Sequence, residues 1–149
     1  MSGVIIGNAI DYALAKSNRV LLHCVNAQGK YASGIAKEIR QRIPEAYEAY
    51  MDYHELGDVS YTRDNKVINL CAQEFYGNDG KKYVSYKALQ SCLECIKFWL
   101  YRAVDNSTPK EFVVPYGMCA GLAGGDFEAV QVIVELVLGR DNVTYVKLP

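Results

Sequence analysis

The chain has 149 residues, 50% of them hydrophobic and 22% charged, which is the usage of one ordinary globular domain and excludes a disordered or fibrous chain. With 16 basic against 17 acidic residues the formal charge is -1, so no overall field draws the protein to nucleic acid. Its five cysteines, at 24, 71, 92, 95 and 119, are odd in number and lie mostly in apolar runs, so reduced thiols and a cytoplasmic setting are expected.

Taken in order, Val4 to Ile6 reads as a short strand ending at Gly7-Asn8, and Ile10 to Lys16 as a brief helix. No basic segment precedes an apolar run there, and Asp11 interrupts what apolar character exists, so no signal peptide is expected. Val20 to Val25 is an apolar run short enough for a strand buried on both faces. It leads into a polar, glycine-bearing loop that ends in residues able to start a helix. Ile35, Ile39 and Ile43 then recur every four residues with Lys37, Arg40 and Arg42 on the other side, an amphipathic helix stopped near Pro44. Pro44 suits the first turn of the next helix, Glu45 to His54. Tyr47, Tyr50 and Tyr53, three apart in it, read as half-buried core tyrosines rather than a stacking platform.

Asp58 to Thr62 and Lys66 to Gln73 are predicted strands, joined through Asp64-Asn65 as a hairpin. The polar loop from Glu74 to Lys82 has no packing face and is long enough for a flap. Ser85 can cap a long helix with Leu89, Cys92, Ile96, Trp99 and Ala103 on one face, ended by Asn106 to Pro109. Cys92-x-x-Cys95 falls inside that pattern, with no second cysteine pair or histidine near it, and reads as core. The strand Phe112 to Tyr116 runs into a second glycine loop, Gly117 to Asp126, followed directly by the helix Phe127 to Leu138 and a last strand, Val143 to Lys147. The apolar stretch Ala129 to Leu138 is too short to span a bilayer, so no membrane partner is expected. Alternating strands and helices predict a single α/β domain over residues 1–149, a three-layer α/β/α fold with a mixed, largely parallel sheet.

Two strand–glycine loop–helix units along one sheet edge can grip neighbouring phosphates through backbone N–H groups. Gly29-x-x-x-x-Gly34 lacks the Lys-Ser/Thr of a P-loop, and Gly117-x-x-x-Gly121-x-x-Gly124 is not G-x-G-x-x-G, so ATPase and NAD readings lose their support. His23 is the first candidate for proton transfer near neutral pH. By alternation it points with Leu21 and Val25 while Asn26 points with Leu22 and Cys24, so only distortion at the strand's end brings the two to one ligand. A satisfied core histidine is the alternative. Asn26 can bond a ligand through both ends of its amide or close an Asx-type turn. Asp126 can activate a water or cap the helix that follows it, and the two roles are compatible. The sequence has no His/Cys/Asp cluster at metal-ligand spacing, so neither a metal nor a cofactor is expected.

Three segments, V-L-L-H-C-V-N-A-Q-G-K-Y-A-S-G-I-A, S-Y-K-A-L-Q-S-C-L and V-V-P-Y-G-M-C-A-G-L-A-G-G-D-F, resemble in order and spacing the macro domain family, which binds ADP-ribose. The resemblance implies a mixed sheet between helices, with Ile6 and Asn8 beside adenine and Asn26 and Gly29 at the distal ribose. It implies that Ser33, Gly34 and Ile35, with Gly121, Leu122, Ala123 and Gly124, wrap the diphosphate. Asn8 stands where many members carry an aspartate that accepts the adenine amino proton. The lysine and aspartate of the glycohydrolase branch match positions near Ala72 and at Ala123, so a covalent lysine mechanism is not implied. His23-x-x-Asn26-x-x-Gly29 is similar to the yeast-type phosphatase branch. The expectation is therefore a monomer that binds ADP-ribose and hydrolyses the terminal phosphate of ADP-ribose-1″-phosphate, with His23, Asn26 and Asp126 as catalytic candidates. Hydrolysis of an ADP-ribosyl ester on the same cradle, or binding without turnover, are the alternatives.

Overall fold

The computed structural model describes residues 3–31, 34–74, 84–100, 110–120 and 124–149. Its strands are Gly3–Ile6 (β1), Arg19–Asn26 (β2), Val59–Tyr61 (β3), Val67–Gln73 (β4), Glu111–Pro115 (β5) and Val143–Lys147 (β6). Its α-helices are Ala9–Leu14 (α1), Ile35–Arg42 (α2), Pro44–Asp52 (α3), Tyr86–Cys95 (α4) and Phe127–Leu138 (α5). Among the described residues the strands form one sheet in the order β1-β6-β5-β2-β4-β3. Only the β3–β4 pair is antiparallel. Parallel neighbours require crossover connections, and these carry the helices onto both faces.

The alternation along β2 sorts the layers. Val20 and Leu22 face a core shared with Leu89 and Leu93 of α4 and Val130 and Val134 of α5. Leu21 and Val25 face the opposite core, with Ile10 of α1, Ile39 of α2 and Ala46 and Tyr50 of α3. The result is the mixed, largely parallel sheet between two helical layers. No helix among the described residues is long and apolar enough to cross a membrane.

Several local expectations shift. α1 starts at Ala9, because the Asn8 side chain accepts from the Asp11 N–H and sets the N-cap one residue before the first apolar position. The three-apart tyrosines do not share a face: Tyr50 is fully buried and Tyr47 half-buried, whereas Tyr53 is 45% exposed. Tyr53 lies past the last helical turn as the C-cap of α3, and its hydroxyl donates to Asp58. Ser85 caps α4 by accepting from the Ala88 N–H, and Leu89, Cys92 and Ile96 are buried. The helix continues as a π-helical turn, Ile96–Leu100. The side chain of Trp99, and Ala103 and the stop at 106–109, lie outside the described residues, as does the predicted flap beyond Glu74. All five cysteines are free thiols.

Buried polar side chains bind the layers together. Asn69 of β4 is fully buried, and its Nδ2 donates to the Ala46 carbonyl of α3 and to Ser60 Oγ of β3, each at 3.0 Å. Its Oδ1 accepts from Tyr31 Oη at 2.9 Å and lies 2.7 Å from His23 Nε2 of β2. One amide thereby ties two neighbouring strands, a helix and the end of the first loop to the strand that carries it. Replacing it by Asn69→Leu strands at least two buried polar groups, each costing about 1–3 kcal/mol, so urea unfolding should show a loss of roughly 3 kcal/mol.

Candidate functional site

Parallel strands end on a common edge, and there β1, β5 and β6 meet the start of α2. A cleft of about 590 Å³ opens between them, lined by Gly7, Asn8, Gly34, Ile35, Glu38, Tyr116 and their neighbours in β5 and β6. Gly34 precedes α2 with φ 59° and ψ -138°, a conformation that L side chains rarely adopt, and it offers α2 no side-chain cap. Among the described residues the first-turn N–H groups of α2 thus start at the cleft without a side-chain acceptor, an arrangement that favours an anion. The end of the first glycine loop, Gly34-Ile35, and the start of the second, Tyr116-Gly117-Met118, line this one cavity.

Of the residues expected to bind a ligand, Asn8, Gly34 and Ile35 therefore lie on the cleft. Ile6 does not: it is 62% exposed on the edge strand β1, and its neighbour Gly7 takes the lining position. Gly29 and Gly124 are in the two loops with φ 79° and 74° and are not among the described residues that line the cleft. Ser33, Gly121, Leu122 and Ala123 lie outside the described residues.

Asn26 and His23 are placed differently from the ligand-facing expectation. The pairing register of β2 on β4 shifts between Val25 and Asn26, the distortion that brings the Asn26 side chain round to Tyr50 on the His23 side of the sheet. Its atoms are engaged within the loop. Oδ1 accepts from Gln28 N at 3.0 Å, Lys30 N at 3.2 Å and Tyr50 Oη at 3.0 Å, while Nδ2 donates to the Lys30 carbonyl at 2.8 Å. Asn26 closes the loop as an Asx-type turn, and the amides just after it are satisfied by the protein.

His23 points with Leu21 and Val25, as the alternation requires, and is 1% exposed. It does not line the cleft. Nε2 stands 2.8 Å from Tyr31 Oη and 2.7 Å from Asn69 Oδ1. Asn69 Oδ1 can only accept, since its Nδ2 is committed to two other acceptors, so the proton resides on Nε2. Nδ1 is then a bare acceptor, buried and without a hydrogen-bond partner among the described residues. Burial pulls the pKa down from 6.5 to about 4, against a smaller opposing effect of the bond to Asn69.

Asp126 is the N-cap of α5: its carboxylate accepts from the Glu128 N–H at 3.0 Å, and its own N–H donates to Tyr86 Oη at 2.8 Å. In the second loop the amides of Met118, Ala120 and Gly125 donate to the carbonyls of Pro115, Gly117 and Cys119. Gly125 is obligatory there, because a Cβ would collide with the Cys119 carbonyl oxygen and press on Val84.

Three cleft residues carried no sequence signal of their own. Glu38 lies within the amphipathic Ile35–Ile43 pattern, whose polar side rests on Lys37, Arg40 and Arg42. Tyr116 stacks on Phe127 with ring centroids 4.7 Å apart, and Lys147 places its Nζ 4.9 Å from the Tyr116 ring centroid. Asn8 Nδ2 lies 3.2 Å from both Glu38 oxygens, and Arg42 pairs with Asp11 at 2.7 Å and stands 3.8 Å from Glu38. Among the described residues no group of three or more His, Cys, Asp or Glu could hold a metal ion.

No protein-family model matches the chain, and no curated protein matches it significantly. Solved structures do. A protein of unknown function from Bacteroides thetaiotaomicron is 20% identical over 100% of this chain and 99% of that one, with a TM-score of 0.79. A macrodomain protein from Streptomyces coelicolor is 21% identical over 99% and 97%, with a TM-score of 0.68. DarTG of Thermosipho africanus, solved in complex with ADP-ribose, is 16% identical over 100% of this chain and 42% of that one, with a TM-score of 0.69. The fold is that of the macrodomains.

The buried histidine sets a pH dependence. Between its folded pKa of about 4 and the ordinary 6.5, the unfolded chain takes up a proton that the folded one refuses. Stability is complete above pH 6.5 and falls as the pH is lowered toward 4, by about 3 kcal/mol from this group. Denaturant titrations across that window should slope less in His23→Gln than in the wild type; equal slopes would remove His23 as the source.

Proposed function

We propose that the cleft binds ADP-ribose. The observation that carries this reading is a helix start with no side-chain cap, reached through Gly34, inside a cavity of the volume that holds nucleotide-sized ligands. A diphosphate at the first turn of α2 would receive about 1.5–3 kcal/mol from each charged N–H···O bond, against about 0.3–1 kcal/mol from the helix dipole. Lys147 lines the same cleft and adds a cation, while Ile35, Pro115 and Val146 supply apolar wall for a base. The macrodomain fold and the ADP-ribose bound to the similar Thermosipho africanus protein support the same ligand.

Hydrolysis of the terminal phosphate of ADP-ribose-1″-phosphate is the finer reading, supported by the resemblance of His23-x-x-Asn26-x-x-Gly29 to the phosphatase pattern. In that reaction His23 and Asn26 would act as positioning residues that hold the first loop, and Asp126 would set the start of α5. A module that binds without turnover is favoured by one feature: the side chains of all three are engaged inside the protein.

Calorimetry with ADP-ribose should show saturable one-site binding, weakened about tenfold or more in Gly34→Ala, whose strained backbone would displace the α2 amides. Wild-type affinity in that variant would remove the α2 start from the site. Incubation with ADP-ribose-1″-phosphate and with an ADP-ribosyl ester separates the reactions. Released phosphate marks the phosphatase, released ADP-ribose from the ester marks the esterase, and binding with neither product marks the binding module.

A further inference from the structure

We infer that Glu38, rather than Asn8, reads the base of the bound nucleotide by accepting a hydrogen bond from its exocyclic amino group; this rests on the ADP-ribose reading and names the residue that sets base preference within it. The only acceptor on the Asn8 side chain is Oδ1, and it is turned to the first turn of α1, where it caps the Asp11 N–H at 3.0 Å. Its Nδ2 is directed at the Glu38 carboxylate. Asn8 therefore stands at the cleft wall with one of the two lone pairs of its Oδ1 already spent on α1 and its donor turned to Glu38.

Glu38 has more acceptor capacity to offer, and a negative charge. A carboxylate offers about four lone-pair sites, and the Asn8 amide approaches both of its oxygens at 3.2 Å, which leaves acceptor capacity on each. Arg42 stands 3.8 Å from Glu38 and 2.7 Å from Asp11, and it is not part of the cleft wall. The guanidinium thus compensates the carboxylate's charge from outside the cleft, and Asn8 fixes its orientation from the side. Glu38 lies one position short of a full turn past Ile35, about 5 Å of helix rise from the amides at the start of α2. A nucleotide with its diphosphate on those amides has a ribose to span that interval and a base edge at Glu38.

The chemistry is selective in one direction. An amino group on the base gives the carboxylate a charge-assisted hydrogen bond, whereas a base without a donor at that edge covers the carboxylate without replacing the water on its remaining lone pairs. Sites built to bond a donor reject the analogue that lacks it more strongly than apolar pockets reject a change of size.

The test compares ADP-ribose with the diphosphoribose of unsubstituted purine, which lacks the 6-amino group, by calorimetry on the wild type, Glu38→Ala and Glu38→Gln. The wild type should prefer ADP-ribose by about tenfold or more, and Glu38→Ala should bring the ratio to within about twofold by weakening ADP-ribose alone. Glu38→Gln, which keeps the shape and loses the charge, should fall between them and serves if the alanine variant does not fold. Equal wild-type affinities, a ratio preserved in both variants, or a parallel loss of both ligands would overturn the assignment while leaving ADP-ribose as the ligand. A wild type that binds neither nucleotide would overturn the ligand itself, and the assignment with it.

Discussion

The contact between Asn69 and the pair His23 and Tyr31 is the junction on which the ligand face is built. Asn69 stands in the middle of β4 with all its hydrogen-bonding capacity used on four different segments. In a low-dielectric interior each hydrogen bond of such a network is strengthened, and the fully used Asn69 amide fixes one geometry for the elements that meet there. Tyr31 is 2% exposed at the far end of the first loop, so its hydroxyl pins that loop to the sheet from beneath. A few residues upstream Asn26 closes the same loop on itself and is held in turn by Tyr50.

Asn26 and Tyr31 are both anchored in this way, and Gly34 follows three residues after Tyr31. Among the described residues of this stretch, the backbone amides without a side-chain acceptor are not those next to Asn26, where Gln28 N and Lys30 N already have acceptors, but those at the start of α2. The second loop follows the same division. Its described amides at Met118, Ala120 and Gly125 are spent on its own turns, and its described residues on the cleft are Tyr116, Gly117 and Met118. Glycines serve the two loops differently: Gly34 for a backbone conformation, Gly125 for close approach to a carbonyl.

The polar residues around the cleft act as a chain of supports. Asp11 holds Arg42, Arg42 faces Glu38, and Asn8 joins Glu38 to the N-cap of α1. The apolar wall formed by β5, β6 and Ile35 is complementary to this polar edge, as a site for an amphiphilic ligand requires. His23 stands outside that arrangement. Its Nδ1, without a partner among the described residues, is a cost carried in the core, offset by the hydrogen bonds its other nitrogen makes.

Much of this was legible in the chain itself. The apolar run from Val20 to Val25 implied a central strand, and the pairing of His23 with Leu21 and Val25 by alternation gave its direction. Ser85 and Asp126 as caps, and the four-residue rhythm of Ile35 and Ile39, followed from local hydrogen bonding and periodicity. Local rules of this kind depend on neighbours within a turn or a strand, so sequence alone determined the elements, the layers and the two glycine loops. Tertiary structure decided which polar groups were already spent. Asn26 and Asn8 have the same inventory of donors and acceptors in any sequence, and only packing against Tyr50, the α1 first turn and Glu38 assigns them. Glu38 reaches the cleft because α2 meets the ends of β5 and β6, a long-range arrangement set by the crossovers and the buried junction at Asn69, which no spacing within α2 encodes.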